Sequence, residues 1–249
     1  MSSNRVQLTK MSVMCRDGAM NKALRTLAVI AIGSLVVSLC AILAMGVSKP
    51  PSVLQAIESG TAQTPEGLLP AAHMEISIWP DSMQGMHGAN GGAHPDFVSY
   101  GPTSHFQVPA HSVVTITFKQ YDSGEKIWNP YFSKVHGTVD GTMTLDGKKV
   151  SGINPNAVGH TFTVHGMNTG QPDMFLSIPL PPTDENAEPQ SNGYVKPHII
   201  TATFITGDAG QYIWNCEYPC GDGSYAKFGN AMSTGGYMSG IFDVVDANA

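Results

Sequence analysis

The chain has 249 residues, of which 42% are hydrophobic and 13% charged, and it contains 27 glycines and 17 prolines. This composition excludes a disordered chain and favours a β-rich fold with many turns over a helical bundle. Residues 50–249 carry seven lysines, no arginine and 18 acids, a net charge of −11. Binding to nucleic acid needs a basic face, so that class of function is excluded.

The first predicted element is a membrane-spanning helix over residues 26–47. These 22 residues carry no charge, and a segment of that length can cross a bilayer as a helix. Five basic residues and one acid precede it within residues 1–25. The positive-inside rule therefore predicts a single-pass protein of the cell membrane, with a cytoplasmic tail over 1–25 and an extracytoplasmic body. A cleaved signal peptide is the competing interpretation.

A stalk is predicted over residues 48–70, a segment with prolines at both ends. The extracytoplasmic domain is then expected over residues 71–249. Its short segments of alternating apolar and polar residues, separated by turn residues, are typical of a β-sandwich or barrel. The predicted strands, in chain order, are Met74–Trp79, Val113–Tyr121, Thr161–Val164, His198–Ile205, Gln211–Cys216 and Gly240–Val245.

The C-terminal segment contains the residue types of a soft-metal site. A predicted strand ends at Cys216, Cys220 follows after three intervening residues, and Met238 lies just before the last strand. His160 stands at the start of a mid-chain strand. Thiolate and thioether ligands favour Cu(I), and imidazole suits both copper states. These residues therefore indicate copper as the cofactor.

These stretches resemble the cupredoxin family, and within it the copper-binding domain of cytochrome c oxidase subunit II. The similar stretches are VPAHSVVTITFKQYD, GHTFTV, GQYIWNCEYPCG and YMSGIFDVV, in that order. The resemblance covers residues 105–246. It implies an all-β, Greek-key cupredoxin-like β-sandwich behind the N-terminal transmembrane helix, with copper-dependent electron transfer linked to a respiratory chain or oxidase.

One ligand of the oxidase family is missing from this chain. That family has a histidine four residues after the second cysteine and three residues before the methionine. The corresponding positions here are Ser224 and Gly235, and no histidine follows His198. His165 is expected on the face of its strand opposite to His160. The histidines left open as a replacement are His73, His87, His94, His105 and His136.

Two hypotheses for the site therefore stay open. In the first, one copper is bound by His160, Cys216 and Cys220 with Met238 or Met232, each cysteine being a thiolate. In the second, Cys216 and Cys220 form a disulfide in a metal-free structural module, which an oxidising compartment permits.

The functional hypotheses follow from these two states of the site. The copper site supports electron transfer or, as the alternative, a carrier or chaperone that delivers copper for oxidase assembly. The acidic body is compatible with a cationic electron-transfer protein or oxidase subunits as partners, besides the membrane. Intrinsic catalysis is not expected, because the sequence shows no nucleophile–base pair, phosphate-binding glycine loop or zinc-hydrolase histidine pair. A non-catalytic subunit of a cytochrome c oxidase-like complex remains compatible with this.

Overall fold

The computed structural model describes residues 22, 24–42, 52–65, 67–81, 97–124, 126–166, 173–221 and 230–246. The chain divides into two units, residues 1–50 and residues 51–249, and each is described by itself.

The first unit contains one long helix, α1 (Leu24–Ile42). Its 19 residues are long and apolar enough to cross a membrane, and none of them is buried. A helix of this kind near the N-terminus is equally compatible with a membrane anchor and a signal sequence. Residues 43–47 of the predicted span, and residues 1–21 of the predicted cytoplasmic tail, lie outside the described residues.

The second unit is built from strands. Those of its first half are β1 (Val53–Gln55), β2 (Ile57–Thr64), β3 (Gly67–Trp79), β4 (Ser99–Gly101), β5 (His105–Pro109), β6 (Val113–Gln120), β7 (Met143–Leu145) and β8 (Lys148–Val150). Those of its second half are β9 (His160–His165), β10 (Phe175–Leu180), β11 (His198–Ile205), β12 (Gly210–Asn215) and β13 (Ser239–Val245). The described part of this unit also contains two short helical turns, a 3-10 turn at Val139–Gly141 and α2 (Asn230–Ser233).

The strands form two sheets. One has six strands in the order β1-β5-β13-β12-β9-β10, and the other has the order β2-β3-β6-β11-β7-β8, with β4 paired to β3. Neighbours are antiparallel except for β1 with β5, β5 with β13 and β3 with β6. Strands distant in sequence lie side by side in both sheets, as in Greek-key sandwiches. The predicted all-β sandwich preceded by one N-terminal apolar helix is confirmed.

The core lies between the two sheets. In β6, Val114, Ile116 and Phe118 are fully buried while the residues between them are partly exposed, which is the alternation expected from the sequence. The ring of Phe118 lies 5.2 Å from that of Phe162 in the facing sheet, and Phe162 stacks on Trp214 at 5.4 Å. Aromatic contacts therefore join the two sheets close to the start of β9 and the end of β12.

The predicted stalk over 48–70 needs correction, because most of it belongs to the sheets. β1 pairs in parallel with β5, and Gln55 donates a side-chain hydrogen bond to Gln107. β2 forms an antiparallel hairpin with the start of β3, which includes Pro70. Most residues of β1 and β2 are exposed, and β1 pairs with a strand about 50 residues further along the chain, so the local composition resembles that of a linker.

Candidate metal centre

Strand pairing brings His160 and Cys216 to the same edge of the six-stranded sheet. β9 and β12 are antiparallel, with Asn215 opposite Thr163. The first residue of β9, His160, therefore lies at the edge where β12 ends and Cys216 follows. β13 begins at the same edge, and the amide of Cys216 donates a 2.9 Å hydrogen bond to the carbonyl of Met238.

The donor atoms of three residues lie together at this edge. His160 Nδ1 is 3.0 Å from Cys220 Sγ and 3.8 Å from Cys216 Sγ, and the two sulfur atoms are 3.5 Å apart. All three donor atoms lie within 4.8 Å of one another, and each residue is only 1% exposed. A sulfur separation of 3.5 Å is far longer than the roughly 2.05 Å of a disulfide, so Cys216 and Cys220 are not joined by a disulfide bond.

Asp122 orients the histidine and was not found from the sequence. His160 Nε2 lies 2.6 Å from Asp122 Oδ2, which also accepts a 2.7 Å hydrogen bond from the amide of Gly124. Because the carboxylate holds Nε2, Nδ1 is directed at the two sulfur atoms. A carboxylate behind a metal-binding imidazole fixes its tautomer and raises its basicity.

Asp122 is 38 residues upstream of His160. In the sequence, Asp122 is marked only by its position two residues after the end of β6, which is a strand of the facing sheet. No spacing rule joins it to the histidine.

The backbone around the sulfur atoms is also held in place. The amide of Thr161 donates to Cys216 Sγ at 3.4 Å, and the amide of Glu217 donates to Thr161 Oγ1 at 2.8 Å. The indole of Trp214 donates to the carbonyl of Ser104 at 2.7 Å. These hydrogen bonds between neighbouring strands therefore hold the sulfur atom of Cys216 close to the start of β9.

The electrostatics favour a charged imidazole beside a thiolate in the metal-free protein. Burial alone lowers the pKa of His160, but hydrogen bonding and charge from Asp122 and Cys216 outweigh it and raise that pKa to about 10. Burial raises the pKa of Cys216, yet hydrogen bonds from Cys220 and His160, with the imidazolium charge, bring it well below its ordinary value. Burial and the negative charge of Cys216 raise the pKa of Tyr218 to about 12.

Replacing Asp122 by asparagine is expected to weaken copper binding about 10- to 100-fold, because the imidazole loses the carboxylate that orients it and raises its basicity. The measurement is a competition titration of full-length protein in detergent against a Cu(I) chelator. Asp208→Asn is the matched control, since the Asp208 side chain is 77% exposed and pairs with the exposed His111. Equal affinity of Asp122→Asn and wild type would contradict the orienting role.

The stability of the metal-free protein should show a plateau between pH 6.5 and 9, the ordinary pKa values of His160 and Cys216. The raised pKa of His160 gives stability that is complete below pH 6.5 and lost as the pH rises to about 10. The lowered pKa of Cys216 gives stability that is complete above pH 9 and lost as the pH falls through the lowered pKa. Between these values the two slopes cancel, because the folded ion pair and the unfolded neutral pair bind the same number of protons.

The measurement is denaturant unfolding of the metal-free chain, followed by tryptophan fluorescence at a series of pH values. Cys216→Ser removes the compensating group, so its stability should decline with pH from 6.5 upward instead of staying level. A plateau retained in Cys216→Ser would show that the pair is not charged.

The two methionines predicted as ligands lie in the same part of the fold. Met238 is fully buried immediately before β13. Met232, in α2, is partly buried and packs against the core. Their roles as ligands remain predictions.

The other histidines that the structure describes do not join the cluster. His105 pairs with Asp243 at 2.6 Å, His136 stacks on Tyr131 at 4.5 Å, and His165 contacts Asn215 at 3.2 Å. His73 is exposed on β3, and His87 and His94 lie outside the described residues. Within the described part of the chain, the group of side chains that could hold a metal ion therefore contains one histidine and two cysteines.

A pocket of 150 Å³ opens beside this cluster. Its walls include His160, Cys220, Asp122, Ser123, Gly124 and Gly221. Cys216 does not line it, so the pocket reaches the cluster from the side of His160 and Cys220.

Comparison with known proteins gives matches among solved structures alone. One is auracyanin B, at 12% sequence identity and a TM-score of 0.29, covering 76% of this chain and 97% of that one. Another is a multicopper oxidase, at 12% identity and a TM-score of 0.26, covering 70% of this chain and 44% of that one. Both TM-scores are low, so the description of the fold rests on the strand order and pairing given above. No protein-family model and no curated protein matches the chain.

Proposed function

We propose that this chain is a membrane-anchored, cupredoxin-like copper protein that transfers electrons. One observation carries the proposal: His160 Nδ1 and the sulfur atoms of Cys216 and Cys220 lie within 4.8 Å of one another, buried and without a disulfide. Bound copper would supply one-electron redox chemistry between its two common oxidation states.

The donor set fits copper. Two thiolates and one imidazole match the soft ligand preference of Cu(I), and an imidazole is also acceptable to Cu(II). The lowered pKa of Cys216 favours the thiolate form that a metal needs. Burial of all three residues keeps bulk water away from the site. Met238 or Met232 would add a thioether ligand.

The finer assignment follows the resemblance to cytochrome c oxidase subunit II. In this proposal the N-terminus is cytoplasmic, the β-sandwich is extracytoplasmic, and the protein works beside a respiratory oxidase. An acidic body with a net charge of −11 is complementary to a cationic electron-transfer protein, and oxidase subunits are the other candidate partners.

A copper carrier for oxidase assembly is the second candidate, and the pocket beside His160 and Cys220 favours it. Electron transfer needs a metal that stays bound, whereas delivery needs a route by which the metal leaves. The pocket offers such a route from solvent to two of the three donor residues.

The test is metal analysis and spectroscopy of the full-length protein purified in detergent. A coloured copper centre that can be reduced and reoxidised without metal loss is expected for electron transfer. Tight but colourless Cu(I) that passes readily to a chelator would favour the carrier. Absence of bound copper, together with a thiol titration that finds Cys216 and Cys220 oxidised, would overturn both and support the disulfide-linked structural module.

A further inference from the structure

One loop of the β-sandwich unit, residues 126–137, exposes large aromatic side chains. Among the described residues of this unit, the exposed phenylalanine, tyrosine and tryptophan side chains are Trp128 at 63% exposure, Tyr131 at 53% and Phe175 at 43%. The first two belong to the 126–137 loop. The third lies on β10 beside it, where the ring of His136 is 6.0 Å from that of Phe175. Exposed apolar surface concentrated in one place marks an interaction site.

Hydrogen bonds tie the backbone of the 126–137 loop to its surroundings. The side chain of Asn129 accepts a 3.0 Å hydrogen bond from the amide of Tyr131. His136 exchanges two backbone hydrogen bonds with Ser177 of β10, at 2.9 and 3.0 Å. The backbone that carries the exposed rings is therefore already ordered, so less conformational entropy is lost when those rings meet a partner.

The charge of this part of the chain is opposite to that of the rest of the body. Residues 126–155 carry four lysines and two acids, a net charge of +2. The remainder of residues 50–249 carries three lysines and 16 acids, a net charge of −13. The 126–137 loop itself contains no acid, and its two lysines, Lys126 and Lys134, are exposed. A basic surface of this kind is complementary to an anionic partner.

We propose that the 126–137 loop docks on the anionic phospholipid headgroups of a membrane. Tryptophan and tyrosine concentrate at the boundary between headgroups and acyl chains, where the ring is apolar and its polar atom stays wet. Lysines close to an anionic lipid surface are attracted by its negative potential. The two lysines of the loop flank its exposed aromatic residues in sequence, so one loop supplies both kinds of contact.

The helix that precedes the β-sandwich favours lipid over an acidic protein as the partner. Ten residues join the end of α1 to the start of β1 in the sequence. Insertion of α1 would therefore give the β-sandwich a high effective concentration of lipid headgroups. This step rests on the membrane anchor proposed above, whereas docking of the loop does not depend on copper.

The experiment uses full-length protein reconstituted into two kinds of vesicle, one of phosphatidylcholine and one of phosphatidylcholine and phosphatidylglycerol in equal parts. The acyl chains of both are brominated close to the headgroup, and bromine there quenches a tryptophan that reaches the interface. Quenching is expected in the anionic vesicles, and high salt should reverse it by screening the attraction. Trp128→Phe should remove the quenching. Trp79→Phe is the matched control and should retain it, because Trp79 lies outside the loop and stacks on Tyr121.

A charge reversal tests the lysines without changing the fluorophore. Lys134→Glu is expected to lower the ratio of docked to free protein in anionic vesicles about tenfold or more, because attraction to the lipid surface becomes repulsion. Lys196→Glu is the matched control, an exposed lysine outside residues 126–155. Circular dichroism checks that both variants are folded. Equal quenching in the two variants would overturn docking through the charge of the loop.

The lipid composition and the position of the protein separate the remaining outcomes. Equal quenching in neutral and anionic vesicles would overturn the assignment to anionic headgroups. Absence of Trp128 quenching in both would overturn membrane docking by this loop. Flotation is run on the same samples, and protein that floats with neither vesicle would overturn the proposed anchor and this inference with it. None of these readouts uses copper, so failure of the proposed copper site is detected separately.

Discussion

Replacing Cys216 by serine is expected to abolish tight copper binding by the full-length protein. The substitution removes one of the two sulfur donors, 3.8 Å from His160 Nδ1 and 3.5 Å from Cys220 Sγ. A serine hydroxyl is a hard, neutral group that does not replace a thiolate for Cu(I). The loss should exceed the about 10- to 100-fold that follows removal of a group behind a ligand.

The measurement is copper content per chain after dialysis against a Cu(I) chelator, with circular dichroism to show that the sandwich is folded. Cys40→Ser is the matched control, because Cys40 lies exposed in α1 and outside the β-sandwich unit. Wild-type copper content in folded Cys216→Ser would place the metal elsewhere. Cys220→Ser should behave like Cys216→Ser, since its sulfur lies even closer to the imidazole.

His160 and Cys216 could be placed close together from the sequence because each stands at the end of a strand. β9 begins at His160, β12 ends just before Cys216, and both strands show the apolar alternation that identifies them. Once β9 and β12 are neighbours in antiparallel pairing, their ends must share an edge of the sheet. The residue type and the strand boundary were therefore enough to place His160 and Cys216.

Asp122 and the first strands could not be predicted in the same way. Asp122 reaches His160 only because β6 and β9 lie in facing sheets whose ends meet. No local sequence pattern predicts that packing. β1 is three residues long, and its strand character comes from parallel pairing with β5 about 50 residues later. Prolines next to β1 in the sequence made this segment resemble a linker. Its strand conformation is decided by long-range hydrogen bonds and not by local propensity.

The burial of β9 was also beyond the sequence pattern. Thr161 and Thr163 point away from Phe162 and Val164, yet all four residues are buried. Thr163 Oγ1 contacts Ser177 Oγ on β10 at 3.0 Å, and Thr161 Oγ1 accepts the amide hydrogen bond of Glu217. The segment that follows Cys216 thus contacts the outer face of β9 at Thr161, and this hydrogen bond joins the two donor-bearing segments.

Replacing Gly240 by alanine is expected to destabilise the β-sandwich by about 3 kcal/mol or more, the sum of overpacking and a lost buried hydrogen bond. A Cβ at Gly240 would lie 1.8 Å from the carbonyl oxygen of Ser104. That oxygen accepts hydrogen bonds from the Trp214 indole and the Ile241 amide, so β5 and β13 cannot separate without breaking one of them.

The effect should extend to the metal centre, because β13 follows Met238, whose carbonyl holds the amide of Cys216. Denaturant unfolding followed by the fluorescence of buried Trp214 measures the stability, and copper content is measured on the same samples. Gly207→Ala is the matched control: no atom lies within 4 Å of its added Cβ and its φ is outside the left-handed region, so a change within about 0.5 kcal/mol is expected. If Gly240→Ala proved as stable as Gly207→Ala, the close approach of β5 to β13 would be refuted. The link between the sheet and the position of Cys216 would then lose its support, because that link depends on β13 being held against Ser104.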